Sequence, residues 1–495
     1  GFMKIIVNSE EMKYCDSNTI SHFGVPSLVL MERAALSIIQ QVPRSCRRVL
    51  LACGNGNNGA DGLAAARLLF QRGFDVTVVQ MPGHGKRTPE NLQQRDILER
   101  YGIKIHDSIP EDTAYDCVID ALFGIGLSRA PQGEAAGWIA AMNRLDGFKI
   151  AADMPSGVSS DTGMAYEPSF QADLTVTFAY KKAGQVFYPG CEKCGTVLVA
   201  EIGITDESWL KRRPSCYAFE KKDLQRLPKR PPRSHKGTFG RLLVIAGSRN
   251  MAGAAVFSAQ AAYRTGCGLV KICTPQENRV IMQCAVPQAV LDTFDTALPL
   301  DREQFQKNLD WADVIVLGPG IGTDDFAVQM TEFVLEHAGV PLVLDADALN
   351  IIAARPQLMQ KVSGRAVLTP HPGEMSRLCG RPVPEIREHL LETAAGFARE
   401  HGVILVLKDA VTVTASQDAA YLNTSGCSAM AKAGSGDILA GMIAALAAQG
   451  MPLETAAPLG VFAHGAAGEE AARRKGMYSV LAEDILECIG VGMCG

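Results

Sequence analysis

The chain has 495 residues, 47% hydrophobic and 20% charged, the composition of a soluble globular protein large enough for two or three domains. A formal charge of −5 argues against a general nucleic-acid surface, so any phosphate must be held locally. The longest apolar stretch, residues 438–448, falls far short of the ~20 residues a membrane helix needs, and 14 scattered cysteines point to a reducing cytoplasm rather than a disulfide framework.

Gly1-Phe2 ahead of Met3 reads as an added remnant, with no signal peptide after it. The first clear element is an apolar strand over residues 48–53. It runs into Cys53-Gly54-Asn55-Gly56-Asn57-Asn58-Gly59-Ala60-Asp61-Gly62 and a helix over 63–72. This turn matches G-x-G-x-x-G between strand and helix, a pattern that aims backbone N–H groups at a phosphate. The next strand, 75–81, ends Val78-Val79-Gln80-Met81, without the acid that would hold a ribose. An ordinary NAD dehydrogenase is therefore disfavoured.

Two further strands end at Asp120 and Asp153, followed by Gly124-Ile-Gly126-Leu-Ser-Arg129 and by Met-Pro-Ser156-Gly157. Together with Asn57, Asn58 and Asp61 they bring amide, carboxylate and hydroxyl oxygens to three strand ends. Such oxygens suit a hard cation or a hydroxylated ligand; Asx turns and helix caps are the structural use of the same residues. Cys191-Glu-Lys-Cys194 is the sole CxxC and, lacking a second pair, reads as loop rather than as a zinc or redox site. Residues 211–236, rich in proline, lysine and arginine, read as a solvated linker, with a basic nucleic-acid arm as the alternative. This divides the chain into domains over 3–213 and 219–495.

Beyond it, short apolar runs at 242–246, 269–274, 314–317, 342–344, 366–368 and 403–407 alternate with helical patterns. Both halves are thus α/β with mainly parallel sheets, whose ligands bind beyond the carboxyl ends of strands. The second half carries Lys236-Gly237-Thr-Phe-Gly240, Gly318-Pro319-Gly320-Ile-Gly322, Asp345-Ala346-Asp347, Thr369-Pro370-His371-Pro372-Gly373-Glu374 and Met430-Ala-Lys-Ala-Gly434-Ser435-Gly436-Asp437. In the last, Gly-Ser-Gly at a helix start makes an anion cradle of N–H groups. Asp437 then stands where it can take a proton from a hydroxyl attacking a phosphoryl group. A plain helix cap is the structural alternative.

The strings NNGADG, DALFGIGLSR and DMPSG closely resemble the NAD(P)H-hydrate epimerase domain (the YjeF N-terminal family) over most of residues 3–210, with Glu10-Glu11-Met12 and Leu30-Met31-Glu32-Arg33-Ala34 fitting its opening. The resemblance implies a Rossmann-like three-layer domain. Asn57, Asn58, Gly59, Ala60 and Asp61, then Gly124, Ile125, Gly126, Leu127, Ser128, Arg129 and Ala130, and Asp153 would line the hydrate site. Asn58, Asp120 and Ser156 would hold a potassium ion. Asp153 is the candidate acid/base for epimerisation at C6, with Lys182 assisting; a surface lysine is the alternative for the latter. Ala60 departs from the usual glycine, which matters only if the backbone there has positive φ.

In the second half, KGTFG, GPGIG, DADALN, TPHPGE and MAKAGSGD resemble the ribokinase-like NAD(P)H-hydrate dehydratases over roughly 219–490. That resemblance implies Asp437 as base, with Ala254, Gly322, His371 and Asp437 on the hydrate and Lys408, Asp409, Ala410, Val411, Thr412 and Gly436 on the nucleotide. Asp409 stands where glycine is usual, and Lys432-Ala433 and Ser435 where threonine, glycine and threonine are, which bears on nucleotide affinity. The implied protein is a bifunctional cytoplasmic homo-oligomer with no membrane or nucleic-acid partner. It would interconvert the R and S hydrates of NADH and NADPH and dehydrate the S form at the expense of ADP, with Mg2+ on the nucleotide. The first rival is a ribokinase-like small-molecule kinase fused to a nucleotide-sensing domain. The second is a non-catalytic dinucleotide-binding scaffold.

Overall fold

Strands of leucine, isoleucine and valine with little polar alternation must be covered on both faces, and the computed structural model, which describes residues 3–83 and 86–494, has that arrangement twice. Gly1-Phe2 lies outside the described residues. The chain separates into two compact units, Ile5–Ser215 and the chain from Cys216 onward with residues 3–4.

In the first unit a parallel sheet runs in the order Ile105–His106, Asp75–Gln80, Arg48–Cys53, Cys117–Ala121, Phe148–Ala152, Leu174–Phe178, Thr196–Ala200. Side chains alternate between faces with the strand period of two. Val49, Leu51 and Cys53 pack with Leu63, Leu69 and Ile38 on one side. Leu50 and Ala52 pack with Trp138, Ile139 and Met142 on the other. The strand order reverses between Arg48–Cys53 and Cys117–Ala121, opening a crevice at their carboxyl ends.

The second unit carries seven parallel strands in the order Val290–Phe294, Leu269–Pro275, Arg241–Ile245, Val314–Leu317, Leu342–Leu344, Ala366–Leu368, Ile404–Leu407. An antiparallel pair, Val413–Ala415 and Ala420–Leu422, extends it. Helices Ala252–Arg264 and Ser435–Ala448 cover one face with small residues, Ala255, Ala259, Ala440 and Ala444. Their approach is close enough that a methyl on Gly441 would collide with Ser258 O.

Three sequence expectations change. The first helix of the glycine motif spans Asn57–Gln71, so Asn57–Asp61 form its opening turns rather than a preceding loop. Asn, Gly and Asp read as loop because they are poor helix-interior residues, yet a helix start accepts them. Residues 211–236 are not a bare linker: Cys216–Ala218 pairs parallel with Ala420–Leu422, and Cys216, Ala218 and Leu224 are buried. Its three-residue apolar content is too short to show a period. Strand Val290–Phe294 and the antiparallel pair have no counterpart in the sequence reading; exposed Val290 and half-buried Leu291 blur their pattern.

Candidate active sites

The three glycines of the front motif do different work. A methyl on Gly54 would collide with Leu122 O, and one on Gly59 with Gly54 O, so both serve close packing of the turn. Nothing stands within 4 Å of the equivalent position on Gly56, the N-cap of helix Asn57–Gln71, which leaves its backbone open to a ligand. Ala60 is buried in the helix with ordinary negative φ, so its methyl costs nothing in backbone strain.

A pocket of about 300 Å³ opens beside this helix start. Asn57, Asn58 and Asp61 line it at the i, i+1, i+4 spacing of one helical face, with Gly124, Ile125, Asp153 and Lys182. Gly59 and Ala60 turn inward, and Gly126–Ala130 continue as an exposed to half-exposed segment away from the pocket wall. Helix Ser9–Ser21 contributes Met12, Lys13, Asp16 and Ile20. The sequence reading missed Asp16, which lies in no motif. Its only signal is the i, i+4 stripe it shares with Met12 and Ile20.

Asp153 follows strand Phe148–Ala152 at φ 68°, a left-handed conformation that aspartate tolerates better than most residues. The surroundings hold it there: its N–H donates to Val176 O (2.8 Å) and its carbonyl accepts from Gln185 Nε2 (2.6 Å). Oδ1 accepts from Thr177 Oγ1 (2.8 Å) and Lys182 Nζ (2.9 Å). Lys182 is 0% exposed, which corrects the surface-lysine alternative. Its three N–H donors are spent on Asp153, Thr177 Oγ1 and Phe178 O, the last two also at 2.9 Å.

Burial pushes the Asp61 carboxyl well above the usual carboxylate range, reinforced by the charges of Asp153 and Asp16. Asp16 is itself raised by burial, then by Glu90 and Asp153. The ammonium of Lys182 is bonded to Asp153 alone among these acids. The pocket thus offers a lysine-paired carboxylate beside a carboxyl shifted toward its protonated form, an arrangement suited to a base and an acid.

Of the three residues expected to hold a cation, Asp120 and Ser156 are in contact, while Asn58 bonds to the neighbouring backbone. Asp120, fully buried, accepts from Ser156 N (2.7 Å), Ser156 Oγ (2.7 Å) and Leu122 N (3.1 Å). With its amide oriented to suit both neighbours, Asn58 Nδ2 donates to Ala152 O (3.1 Å) and Oδ1 accepts from Gly124 N (3.0 Å). Burial raises Asp120 to about 6, against the pull of those hydrogen bonds. Each of these donors is neutral, and no ion pair reaches Asp120 among the described residues.

Cys191 and Cys194 are free, and burial raises both thiols, Cys194 to about 12. Reactive thiols are lowered instead.

In the second unit the loops after Arg241–Ile245 and Val314–Leu317 are joined by Gly247 N donating to Pro319 O (2.7 Å). Gly322 N donates to Asp347 Oδ2 (2.9 Å), and Ala254 packs beneath Gly320. Gly434, at φ 92°, caps helix Ser435–Ala448, whose first turn carries Asp437. Burial first, then the charge of Asp345, raises Asp437 to about 7, with Lys408 opposing.

Asp345, 2% exposed, accepts from Thr369 Oγ1 (2.8 Å) and Lys408 Nζ (3.3 Å). Lys408, expected on the nucleotide, therefore reaches into the acid pair, and its Nζ lies against Gly436. Lys408–Thr412 link strands Ile404–Leu407 and Val413–Ala415. Asp409 is not a bare charge, since Arg387 Nε lies 3.5 Å from its Oδ2.

His371 caps helix Pro372–Cys379, with Nδ1 accepting from Glu374 N (3.2 Å). That assigns the ring proton to Nε2, so the cap leaves a donor in place. His464, which no motif announced, has Nε2 3.2 Å from Ser435 Oγ and is lowered to about 4 by burial and then Lys408. Its imidazole is neutral beside the anion cradle.

Comparison with known proteins matches residues 27–184 to the family described as YjeF-related protein N-terminus, and residues 242–490 to NAD(P)H-hydrate dehydratase. A bifunctional NAD(P)H-hydrate repair enzyme of Moorella thermoacetica is 38% identical over 97% of this chain and 95% of its own. One of Escherichia coli is 34% identical over 92% and 87%. Among solved structures, a ribokinase-like superfamily protein from Enterococcus faecalis is 28% identical with TM-score 0.50, covering 56% of this chain and 95% of that one.

Proposed function

Because the chain belongs to the bifunctional NAD(P)H-hydrate repair enzymes, we propose that its front unit epimerises hydrated NADH and NADPH at Asp153 and its rear unit dehydrates the S epimer at Asp437. One observation carries this reading: each acid stands at the carboxyl end of a parallel sheet, beside a helix start able to hold phosphate.

Epimerisation requires C6 of the hydrated ring to lose and regain its handedness. Asp153 takes the C6 hydroxyl proton as the C6–N1 bond breaks. The released nitrogen takes a proton from Asp61, and closure on the opposite face returns both. Lys182 keeps Asp153 oriented.

In the rear unit Asp437 takes the hydroxyl proton as that oxygen attacks the terminal phosphoryl group of ADP and AMP departs. Lys408 and the N–H groups opening the helix face the phosphate charge. Expulsion of phosphate from C6 and of a proton from C5 restores the double bond. Hydrate plus ADP thus gives NAD(P)H, AMP and orthophosphate. Magnesium accompanies the nucleotide. Its coordination would come mainly from phosphates and water. The fourteen free cysteines support a reducing, cytoplasmic setting, and no helix among the described residues is long and apolar enough to cross a membrane.

Incubation with hydrated NADH and each nucleotide in turn tests the reading. Dihydronicotinamide absorbance should return with ADP, with AMP and orthophosphate released. Strict dependence on ATP would remove ADP from the account, and a stable phosphorylated product would identify a kinase instead.

Potassium suits Asn58, Asp120 and Ser156 because Asp120 is a buried carboxylate with only neutral donors, a costly state that a monovalent cation relieves. Bound there, it would neutralise Asp120 and order the surrounding loops. Replacing potassium by lithium is expected to slow epimerisation, and equal rates in both salts would exclude the ion.

A further inference from the structure

The end of strand Asp75–Gln80 is built differently from an NAD site. Where an acid would meet the adenosine ribose, Gln80 is 2% exposed and turned inward. Its Nε2 donates to Asn91 Oδ1 (2.8 Å) and Gly54 O (3.3 Å), while Oε1 accepts from Arg95 Nη1 (2.6 Å). Both of its donors are thereby spent, and its oxygen is taken by Arg95.

Arg87 stands beside it instead. Its Nε donates to Asn55 Oδ1 (2.9 Å) and its Nη2 to Met81 O (3.3 Å). Asn55, between Gly54 and Gly56, is itself fastened by Nδ2 donating to Pro82 O (3.1 Å), and its carbonyl accepts from Thr88 N (3.2 Å). The guanidinium is therefore fixed between the glycine turn and the end of the second strand.

Both acceptors of Arg87 are neutral, and no carboxylate pairs with it among the described residues. Arg95, the neighbouring cation, has Glu99 (3.2 Å) as well as Gln80. Partial burial and the charge of Arg95 hold Arg87 below its usual value. Open space at Gly56 lets a pyrophosphate approach the same turn. In a sheet of this strand order the pyrophosphate lies at that turn and the adenosine ribose at the end of the next strand. An acid there takes a 2′-hydroxyl, and an arginine takes a 2′-phosphate. The fork of guanidinium donors matches phosphate oxygens.

We propose that Arg87 determines the specificity of the front site, selecting the 2′-phosphorylated substrate, hydrated NADPH, over hydrated NADH. This rests on the epimerase reading above and names its preferred substrate. The test is epimerisation of each hydrate by the full chain, followed by chromatography of the epimers. The ratio of kcat/KM values should favour hydrated NADPH by about 10- to 100-fold, the worth of one or two charge-assisted contacts. Arg87→Gln should bring the ratio to about 1 by raising KM for hydrated NADPH, and Arg87→Lys, which keeps the charge without the fork, should fall between. An unchanged kcat/KM for hydrated NADH reports that the front unit of each variant is folded. A wild-type ratio near 1 overturns the proposal. So does a ratio that Arg87→Gln leaves unchanged, which would make the guanidinium a clamp on the shared pyrophosphate. If wild type epimerised neither hydrate, the epimerase reading itself would fall.

Discussion

Asp437→Asn is expected to cut dehydration by about 10²–10⁴-fold while epimerisation proceeds at the wild-type rate. The asparagine fills the same space at the start of helix Ser435–Ala448 but has no basic oxygen for the hydroxyl proton. The pH profile gives the second readout. Burial and Asp345 raise Asp437 to about 7, and a base works only when ionised. In wild type, kcat/KM should therefore climb about tenfold per pH unit below this value and level off above it. The rising limb should vanish from the residual activity of the variant. Wild-type rates in purified Asp437→Asn, or an unchanged limb, would exclude Asp437 as the base.

Asp153→Asn should turn the repair of an epimer mixture from a single complete conversion into two phases. The rear site consumes the S hydrate rapidly, and the R hydrate then waits on spontaneous epimerisation. Asparagine is preferred to alanine because Lys182 is wholly buried with Asp153 as its only bonded anion among the described residues. Truncation to alanine would strand that ammonium at a cost of about 3–5 kcal/mol, whereas the amide oxygen still accepts from it. The fast first phase shows that the rear unit is intact. Adding the Asp437→Asn protein, dead in dehydration but not in epimerisation, should restore the second phase, since the epimer need only diffuse between molecules. A single phase from Asp153→Asn alone would mean that Asp153 is dispensable or that the front unit does not epimerise. Chromatography of the epimers in Asp437→Asn decides between these.

What the sequence made legible follows from how local each signal is. The apolar runs at 48–53, 314–317, 342–344 and 366–368 are strands at those very bounds, because a buried parallel strand needs continuous leucine, isoleucine and valine. The motif residues were legible because glycine, asparagine and aspartate cluster only where the backbone must turn or meet a ligand. Asp16 and His464 were not, since each acquires meaning from a partner far away in sequence: Asp16 from Asp61 and Asp153, His464 from Ser435. Lys182 shows the same limit from the other side. Its motif was visible, but complete burial depends on Thr177, Phe178 and Asp153 closing around it. The inward turn of Gln80 likewise needs Asn91 and Arg95 from the following helix.

The unequal crowding around Gly54, Gly56 and Gly59 governs how a mutational library of this chain should be interpreted. Substitutions at Gly54 and Gly59 force the main chain off Leu122 O and Gly54 O, so selection for a folded protein alone would purge them, even in a population never asked to bind a dinucleotide. Depletion at those two positions therefore carries no information about the ligand. A methyl on Gly56 would meet nothing within 4 Å, and its φ of −93° is one that any residue can adopt. Alanine there should survive a screen for abundance and fail only a screen for repair. The difference between the two screens at that single codon measures how tightly the turn and its phosphate meet.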